Sequence, residues 1–331
     1  MKKIINDPNQ VVQDMIKGIV AAYPEELRQI PGTMAIVRND APVKDKVGLV
    51  SGGGSGHEPA HSGYVGKGML DAAVAGEVFT SPTPDQLLEA IKAVDSGSGV
   101  FLIIKNYTGD VLNFEMAAEL AEAEGIQVES VIVNDDVAVE DSDATTGRRG
   151  IAGTVLVHKI AGAMAEQGGT LKEVKAAAEK VVANVRSIGM ALTPCTVPAA
   201  GKPSFELEEN EMEIGIGIHG ESGIERKQMA SADDIATELT DKIFEDMAFS
   251  SGDEVAVMIN GLGSTPEMEL YIVNRKVQEI LAEKGVHVHK TFVGEFMTAL
   301  EMTGCSVSLL KLDDAHKTLL DAPTHPARFR S

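Results

Sequence analysis

The chain has 331 residues, 44% of them hydrophobic and 24% charged, enough for two domains of ordinary size whose cores need no covalent staples. Its formal net charge of −21 excludes a sequence-independent grip on nucleic acid, which depends on lysine and arginine neutralising phosphates, and an aromatic content of 4% with no Trp removes base-stacking platforms as well. No apolar run is long enough to cross a bilayer and the N-terminal MKKIINDPNQ leads into no secretory signal; the expected location is the cytoplasm, with Cys195 and Cys305 as small buried apolar residues.

In chain order, Asp7 and Pro8 open a first helix over VVQDMIKGIVAAY. Strands MAIVR (34–38), VGLV (47–50), DAAVAGEVF (71–79), GVFLIIK (99–105) and VESVIVND (128–135) then alternate with helices PDQLLEAIKAV and VLNFEMAAELAEAEG. Near-continuous apolar strands between amphipathic helices predict an α/β domain on a mainly parallel sheet. Two long helices across 151–189, around HKIAGAMAEQ and over LKEVKAAAEKVVANVRSIG, close it. The proline-rich ALTPCTVPAAGKPSF reads as a connection, so the expected division is residues 1–189 and 190–331. Beyond it, FELEENEMEIGIGIHG predicts two strands turning at Glu209-Asn210, the second ending at His219. A helix over 231–248, strand DEVAVMINGLG, helix EMELYIVNRKVQEILAEKG and strands VHVHKTFVG and CSVSLLKLD repeat the α/β logic. In NGLGSTP, Ser264 or Thr265 is expected to cap the long helix with Pro266 inside it. The fold class is thus two α/β domains, each a mainly parallel or mixed sheet flanked by helices.

Ligand sites in such sheets gather in loops beyond the carboxyl ends of strands. SGGGSGHEPAH after VGLV has the glycines of a phosphate loop, and a helix could start near His57, but the required lysine and following serine or threonine are replaced by His57 and Glu58, and the spacing does not fit the dinucleotide pattern. The glycines could instead admit a small oxygen-rich ligand. His57 either contacts that ligand or hydrogen-bonds a backbone carbonyl. In KNYTGD, Lys105 and Asp110 either frame a ligand or serve as a solvated strand end and a helix N-cap. His219 in GIHGESG is either a ligand contact or a turn residue. Asp135-Asp136 and Asp141-Ser142-Asp143 could bind a metal but resemble a solvated acidic loop.

GLVSGGGSGHEPAHSGYVGKGMLDAAVAGEVFTSPTPDQ, IIKNYTGD, TTGRRGIAGT, EIGIGIHGE and NGLGSTP, in that order, resemble the DhaK family, the dihydroxyacetone-binding subunits of dihydroxyacetone kinases, over essentially the whole chain. The resemblance implies two α/β domains, a homodimer of glycerol metabolism, and a substrate bound in the first domain. It assigns to His219 covalent attachment of dihydroxyacetone as a hemiaminal, to Gly54, Ser55, Gly56, His57, Lys105 and Asp110 contacts with the substrate, and to His57 and Asp110 the acid–base roles. Neutral imidazole is a sensible nucleophile at pH 7, where lysine is mostly protonated. The phosphotransferase-system form of the family implies no cofactor and no metal in this chain: ADP and magnesium sit on a transient partner, DhaL, which DhaM rephosphorylates. Arg148 and Arg149 in TTGRRG either face that docked partner or tether a loop. Some members of the family bind dihydroxyacetone yet act as transcriptional co-activators, and the presence of both His57 and Asp110 favours the kinase.

Overall fold

The apolar runs of the first half pair into one sheet in the computed structural model, which describes residues 2–139 and 147–329. The sheet order is β1 (Leu27–Gln29), β2 (Ala35–Arg38), β4 (Ala72–Val78), β3 (Gly48–Ser55), β5 (Val100–Lys105) and β6 (Val128–Val133). The last four strands are parallel, and β1 and β2 extend the sheet antiparallel. Every residue of β2, β3 and β5 is buried, the two-faced burial that the apolar runs of β2, β5 and the first half of β3 predict. β1 is too short and polar to leave a sequence signal.

Helices α2 (Pro84–Val94) and α3 (Thr108–Ala123) cover one face through Leu87, Ile91, Phe114 and Ala117. The other face, with α1 (Val11–Ala22) at its side, receives α4 (Thr154–Glu166) and α5 (Leu171–Asn184). α4 is buried almost all round because it lies between two sheets: the core that holds Ile103, Val155 and Ile160 also holds Met258 and Leu310 of the second sheet. That sheet has the order β11 (His287–Gly294), β10 (Glu254–Gly261), β12 (Gly304–Leu312), β7 (Val185–Ala191), β8 (Glu211–Ile214) and β9 (Glu225–Gln228), with only β10 and β11 parallel. Its outer face carries α6 (Ala232–Asp246) and α7 (Glu267–Glu283), giving five layers, helix, sheet, helix, sheet, helix. The two-domain α/β fold is the one expected, with both sheets mixed.

Several local expectations are corrected. The helix over LKEVKAAAEKVVAN stops at Asn184, and VRSIGMA becomes β7, because an antiparallel partner, β12, is available to its β-branched residues. FELEE forms no strand; β8 pairs instead with Glu225–Gln228 and ends at Ile214, so His219 lies in the turn beyond it. α1 begins three residues after Pro8, the Asp7 carboxylate accepting the Asn9 N–H at 2.9 Å. Neither Ser264 nor Thr265 caps α7: Pro266 holds that position, while Thr265 Oγ1 donates to Gly304 O at 2.6 Å and accepts its N–H at 2.8 Å.

The final helix, α8 (Asp314–Asp321), docks on α4, where Lys159 Nζ donates to Leu319 O at 2.8 Å. The tail then returns to the first half, with Arg328 N–H on Gly63 O at 3.1 Å. Cys195 and Cys305 are buried and unbridged.

Candidate active site

SGGGS is neither a loop nor a prelude to a helix: it is the end of β3, buried throughout, and the chain after it enters a turn at His57. Glycine is needed at the middle position because another side chain crosses the strand there. A Cβ on Gly53, whose φ is +152°, would stand 2.5 Å from Lys105 Nζ. Lys105 leaves the end of β5, passes under this backbone fully buried, and meets Asp110 Oδ2 at 3.3 Å in the first turn of α3. Both alternative readings of this pair are thereby corrected. Lys105 is not a solvated end, and Asp110 makes no cap, since α3 starts at Thr108 with Tyr107 preceding it.

His57 is fully buried, its Nδ1 2.7 Å from Thr298 O. A carbonyl only accepts, so Nδ1 carries the proton and Nε2 the lone pair; Nε2 has no hydrogen-bond partner among the described residues. Burial first, then the neighbouring His219 and Lys105, push this imidazole well below its usual range, so it stays neutral. The turn is stapled to the segment before β12: Leu300 N–H donates to Gly56 O at 2.7 Å, and Thr298 Oγ1 to Glu58 O at 2.9 Å.

His219 arrives from the second sheet. Its ring meets Tyr107 at 4.5 Å, His57 at 4.8 Å and Phe79 at 5.2 Å, each close to perpendicular. Glu221 grips it twice, Oε1 on Nδ1 at 2.7 Å and Oε2 on the backbone N–H at 2.9 Å. Burial pushes the Glu221 carboxyl up, but His219 and Arg149 outweigh it and hold the group at about 2. An ionised carboxylate only accepts, so Nδ1 donates, and in the neutral tautomer that this bond selects Nε2 carries the lone pair.

These residues border a cleft of about 320 Å³ lined by Gly54, Phe79, Ser81, Tyr107, Asp110 and His219, among others. The arrangement can attack an electrophilic carbon with His219 Nε2 and accept a hydroxyl proton beside it. Of the expected site residues, Gly54, Asp110 and His219 line the cleft, while His57 and Lys105 are fully buried, His57 against the His219 ring and Lys105 against Asp110. Ser55 and Gly56 do not line the cleft: the Ser55 hydroxyl donates to Gly76 O at 2.8 Å, and the Gly56 N–H is taken by the Glu58 carboxylate at 3.0 Å. Glu221 and Thr298 were missed. Glu221 had a signal, a carboxylate two residues beyond the histidine in HGESG; Thr298 had none.

The acidic stretch is corrected in its described part. Asp135 and Asp136 are fully buried; Asp135 accepts the N–H groups of Ile151 and Gly153, each at 2.8 Å, and Asp136 accepts Arg149 Nε at 2.8 Å. Asp141, Ser142 and Asp143 lie outside the described residues. Arg149, fully buried, cannot meet a docked partner, and Arg148 pairs with Asp246 at 2.9 Å. Among the described residues, no group of three His, Cys, Asp or Glu side chains is placed to hold a metal ion, and no helix is long and apolar enough to cross a membrane.

The Dak1 domain family matches residues 17–328. The chain belongs to that family. It is 57% identical to the dihydroxyacetone-binding subunit DhaK of the PTS-dependent dihydroxyacetone kinase 1 of Listeria innocua, with 95% of each chain covered. Among solved structures, the dihydroxyacetone kinase of C. freundii, in complex with AMP-PNP and Mg2+, is similar with a TM-score of 0.92 at 37% identity, over 100% of this chain and 61% of that one. The dihydroxyacetone kinase operon co-activator Dha-DhaQ is similar with a TM-score of 0.88 at 38% identity, over 97% of this chain and 98% of that one. Family and fold are those of dihydroxyacetone kinase subunits of the DhaK type.

Proposed function

We propose that the chain captures dihydroxyacetone covalently on His219 and presents a terminal hydroxyl for phosphorylation, giving dihydroxyacetone phosphate. The observation that carries this reading is the Glu221 grip on His219 Nδ1, which makes Nε2 the nucleophilic nitrogen of the neutral ring at a cleft lined by Asp110, with the His57 ring packed against that of His219. Attack by Nε2 forms a C–N bond while the carbonyl π pair moves onto oxygen. That oxygen takes a proton from water, and the positive charge left on the ring is offset by Glu221. With the ketone anchored, Lys105 and Asp110 meet the terminal hydroxyl, and Asp110 accepts its proton as the phosphoryl group arrives, with His57 Nε2 as the second acid–base group, able to take that proton on. Positioning is most of what such a transfer asks of the protein.

The phosphoryl donor in this reading is a nucleotide held with magnesium on a separate subunit, DhaL, which DhaM recharges from the phosphotransferase system; the chain works as a cytoplasmic homodimer in glycerol metabolism. Glycerol offers the same hydroxyls without a carbonyl and forms no adduct.

The structural likeness to the co-activator favours one rival, a dihydroxyacetone receptor without turnover. A receptor needs the capturing histidine but no base at the hydroxyl, and this chain places Asp110 on the cleft wall and His57 against the His219 ring. The deciding experiment measures dihydroxyacetone phosphate formation with purified DhaL, nucleotide and the phosphoenolpyruvate relay, against ATP alone. Turnover with the relay supports the kinase; a mass adduct on His219 with no turnover under either condition supports the receptor; no adduct overturns the covalent reading.

A further inference from the structure

Arg149 is the largest fully buried side chain among the described residues, and the proposed reaction gives it no role. Its guanidinium is fixed on all sides: Nε and Nη2 lie 2.8 and 2.7 Å from Asp136 Oδ2, Nη2 donates to Gly215 O at 2.7 Å, and Nη1 reaches Ser222 O at 3.5 Å. Nη1 also shares a neighbour with the carboxylate that holds His219. A Cβ placed on Gly217 would meet Glu221 Oε2 at 2.0 Å and Arg149 Nη1 at 2.8 Å, so the two charged groups converge on one point beside that backbone. A chain of alternating charge therefore runs from Asp136 at the end of the first sheet, through Arg149 and Glu221, to the imidazole carried by the second.

We propose that Arg149 is a positioning residue that balances the charge of Glu221 so that His219 is held in orientation without being protonated. A carboxylate alone beside an imidazole attracts a second proton onto the ring, and a ring protonated on both nitrogens cannot attack a ketone. A buried guanidinium supplies the opposing charge permanently, because arginine does not titrate in the working range and its planar fork is pinned by the two carbonyls and Asp136. The other groups packed on His219 are the rings of His57, Tyr107 and Phe79, none of them charged, and Asp110, which shares the cleft, has its charge met directly by Lys105. Arg149 is thus the cation that answers Glu221.

The inference rests on His219 being the capturing group, and the test keeps the two apart. Adduct formation with dihydroxyacetone is followed by intact-protein mass spectrometry from pH 5.5 to 8.5 for the wild type, Arg149→Lys, Arg149→Met paired with Asp136→Asn to avoid an unpaired buried carboxylate, and Glu221→Gln. A slowing of about three- to tenfold at pH 7 is expected for the Met variant, with its pH midpoint displaced upward by about one unit, while Arg149→Lys, which keeps the charge, recovers most of the rate. In a Glu221→Gln background, the Met pair should slow capture no further, since the charge it balances is gone. Unchanged capture in the Met variant, an undisplaced profile, or a full additional loss on top of Glu221→Gln overturns the role of Arg149. Should the Met pair not fold, Arg149→Lys against Glu221→Gln decides: a lysine variant as slow as the glutamine variant across the pH range also overturns it. A wild type that forms no adduct overturns the capture reading itself.

Discussion

The imidazoles of His57 and His219 meet at 4.8 Å with their planes 73° apart, one carried by the turn after β3 of the first sheet and the other by the turn after β8 of the second. Neither sheet contains the site alone. The relationship is kept by bonds that cross between the halves, Thr298 O on His57 Nδ1 and Leu300 N–H on Gly56 O among them, and by α4 buried between the sheets. With each Nδ1 bonded to an acceptor, Thr298 O for His57 and the Glu221 carboxylate for His219, the two neutral rings are unable to donate to one another and hold their lone pairs on Nε2.

The Glu221 grip should be worth a measurable part of the capture rate. Replacing Glu221 with Gln keeps an acceptor for Nδ1–H but removes the charge that stabilises the ring as its nitrogen attacks. Hydrogen bonds to a charged partner exceed neutral ones by about 1–2 kcal/mol, so adduct formation should slow about 5- to 30-fold. Time-resolved intact mass checks this, and an unchanged rate would remove Glu221 from the mechanism.

Gly53→Ala tests the crossing of Lys105 under β3. The added methyl would sit 2.5 Å from Lys105 Nζ and 3.6 Å from Asp110 Oδ2, on a backbone with φ of +152°. Lys105 is buried, and its ammonium is the part best able to move, which takes it out of the ion pair with Asp110. The expected stability loss is about 1–3 kcal/mol from backbone strain and crowding, with phosphoryl transfer falling at least tenfold. A urea midpoint and an activity assay give the two numbers, and near-normal activity would mean that the Lys105 position is not critical.

Much of the fold and the centre of the site were legible in the sequence because their causes are local. Continuous apolar runs marked β2 to β5, and His57, Lys105, Asp110 and His219 stood in polar or glycine-rich segments at strand ends. What the sequence left hidden depends on partners far along the chain. VRSIGMA continues a helical pattern until β12 offers it an edge, SGGGS reads as a loop until Lys105 is seen passing beneath it, and Asp135-Asp136 reads as solvated until Arg149 and the start of α4 are folded over it. Thr298 acts largely through a backbone carbonyl, which no residue type announces.

Acid should destabilise this protein before most carboxylates protonate. His57, His61 and His158 are all buried, and burial is the first cause that pushes each below its usual value, His158 to about 3. In the unfolded chain each binds a proton as pH drops through about 6.5, while the native state does not, so stability present above that value is lost below it. Glu58 and Asp135, pushed up chiefly by burial, bind protons at higher pH in the native state than in the unfolded chain and offset part of the slope. The net expectation is a loss of about 1–3 kcal/mol between pH 6.5 and 5.5, read from urea midpoints at both values. His158→Gln should flatten the curve; a stability that does not change across this interval would show that these rings protonate in the folded state.

Asp110→Asn separates capture from transfer. Asp110 lines the cleft next to Lys105 but does not touch His219, whose orientation comes from Glu221 and whose walls are Tyr107, Phe79 and His57. The Asn variant should therefore still form the dihydroxyacetone adduct. What it loses is a carboxylate able to take the hydroxyl proton, and a positioned base contributes about 10²–10⁴ in rate. The same sample can be read twice, once by intact mass for the adduct and once by product formation with the phosphoryl relay. Adduct retained with turnover down by that factor places Asp110 at the hydroxyl; adduct lost would place it in capture; full turnover would leave His57 Nε2, bare and buried beside His219, as the base that acts alone.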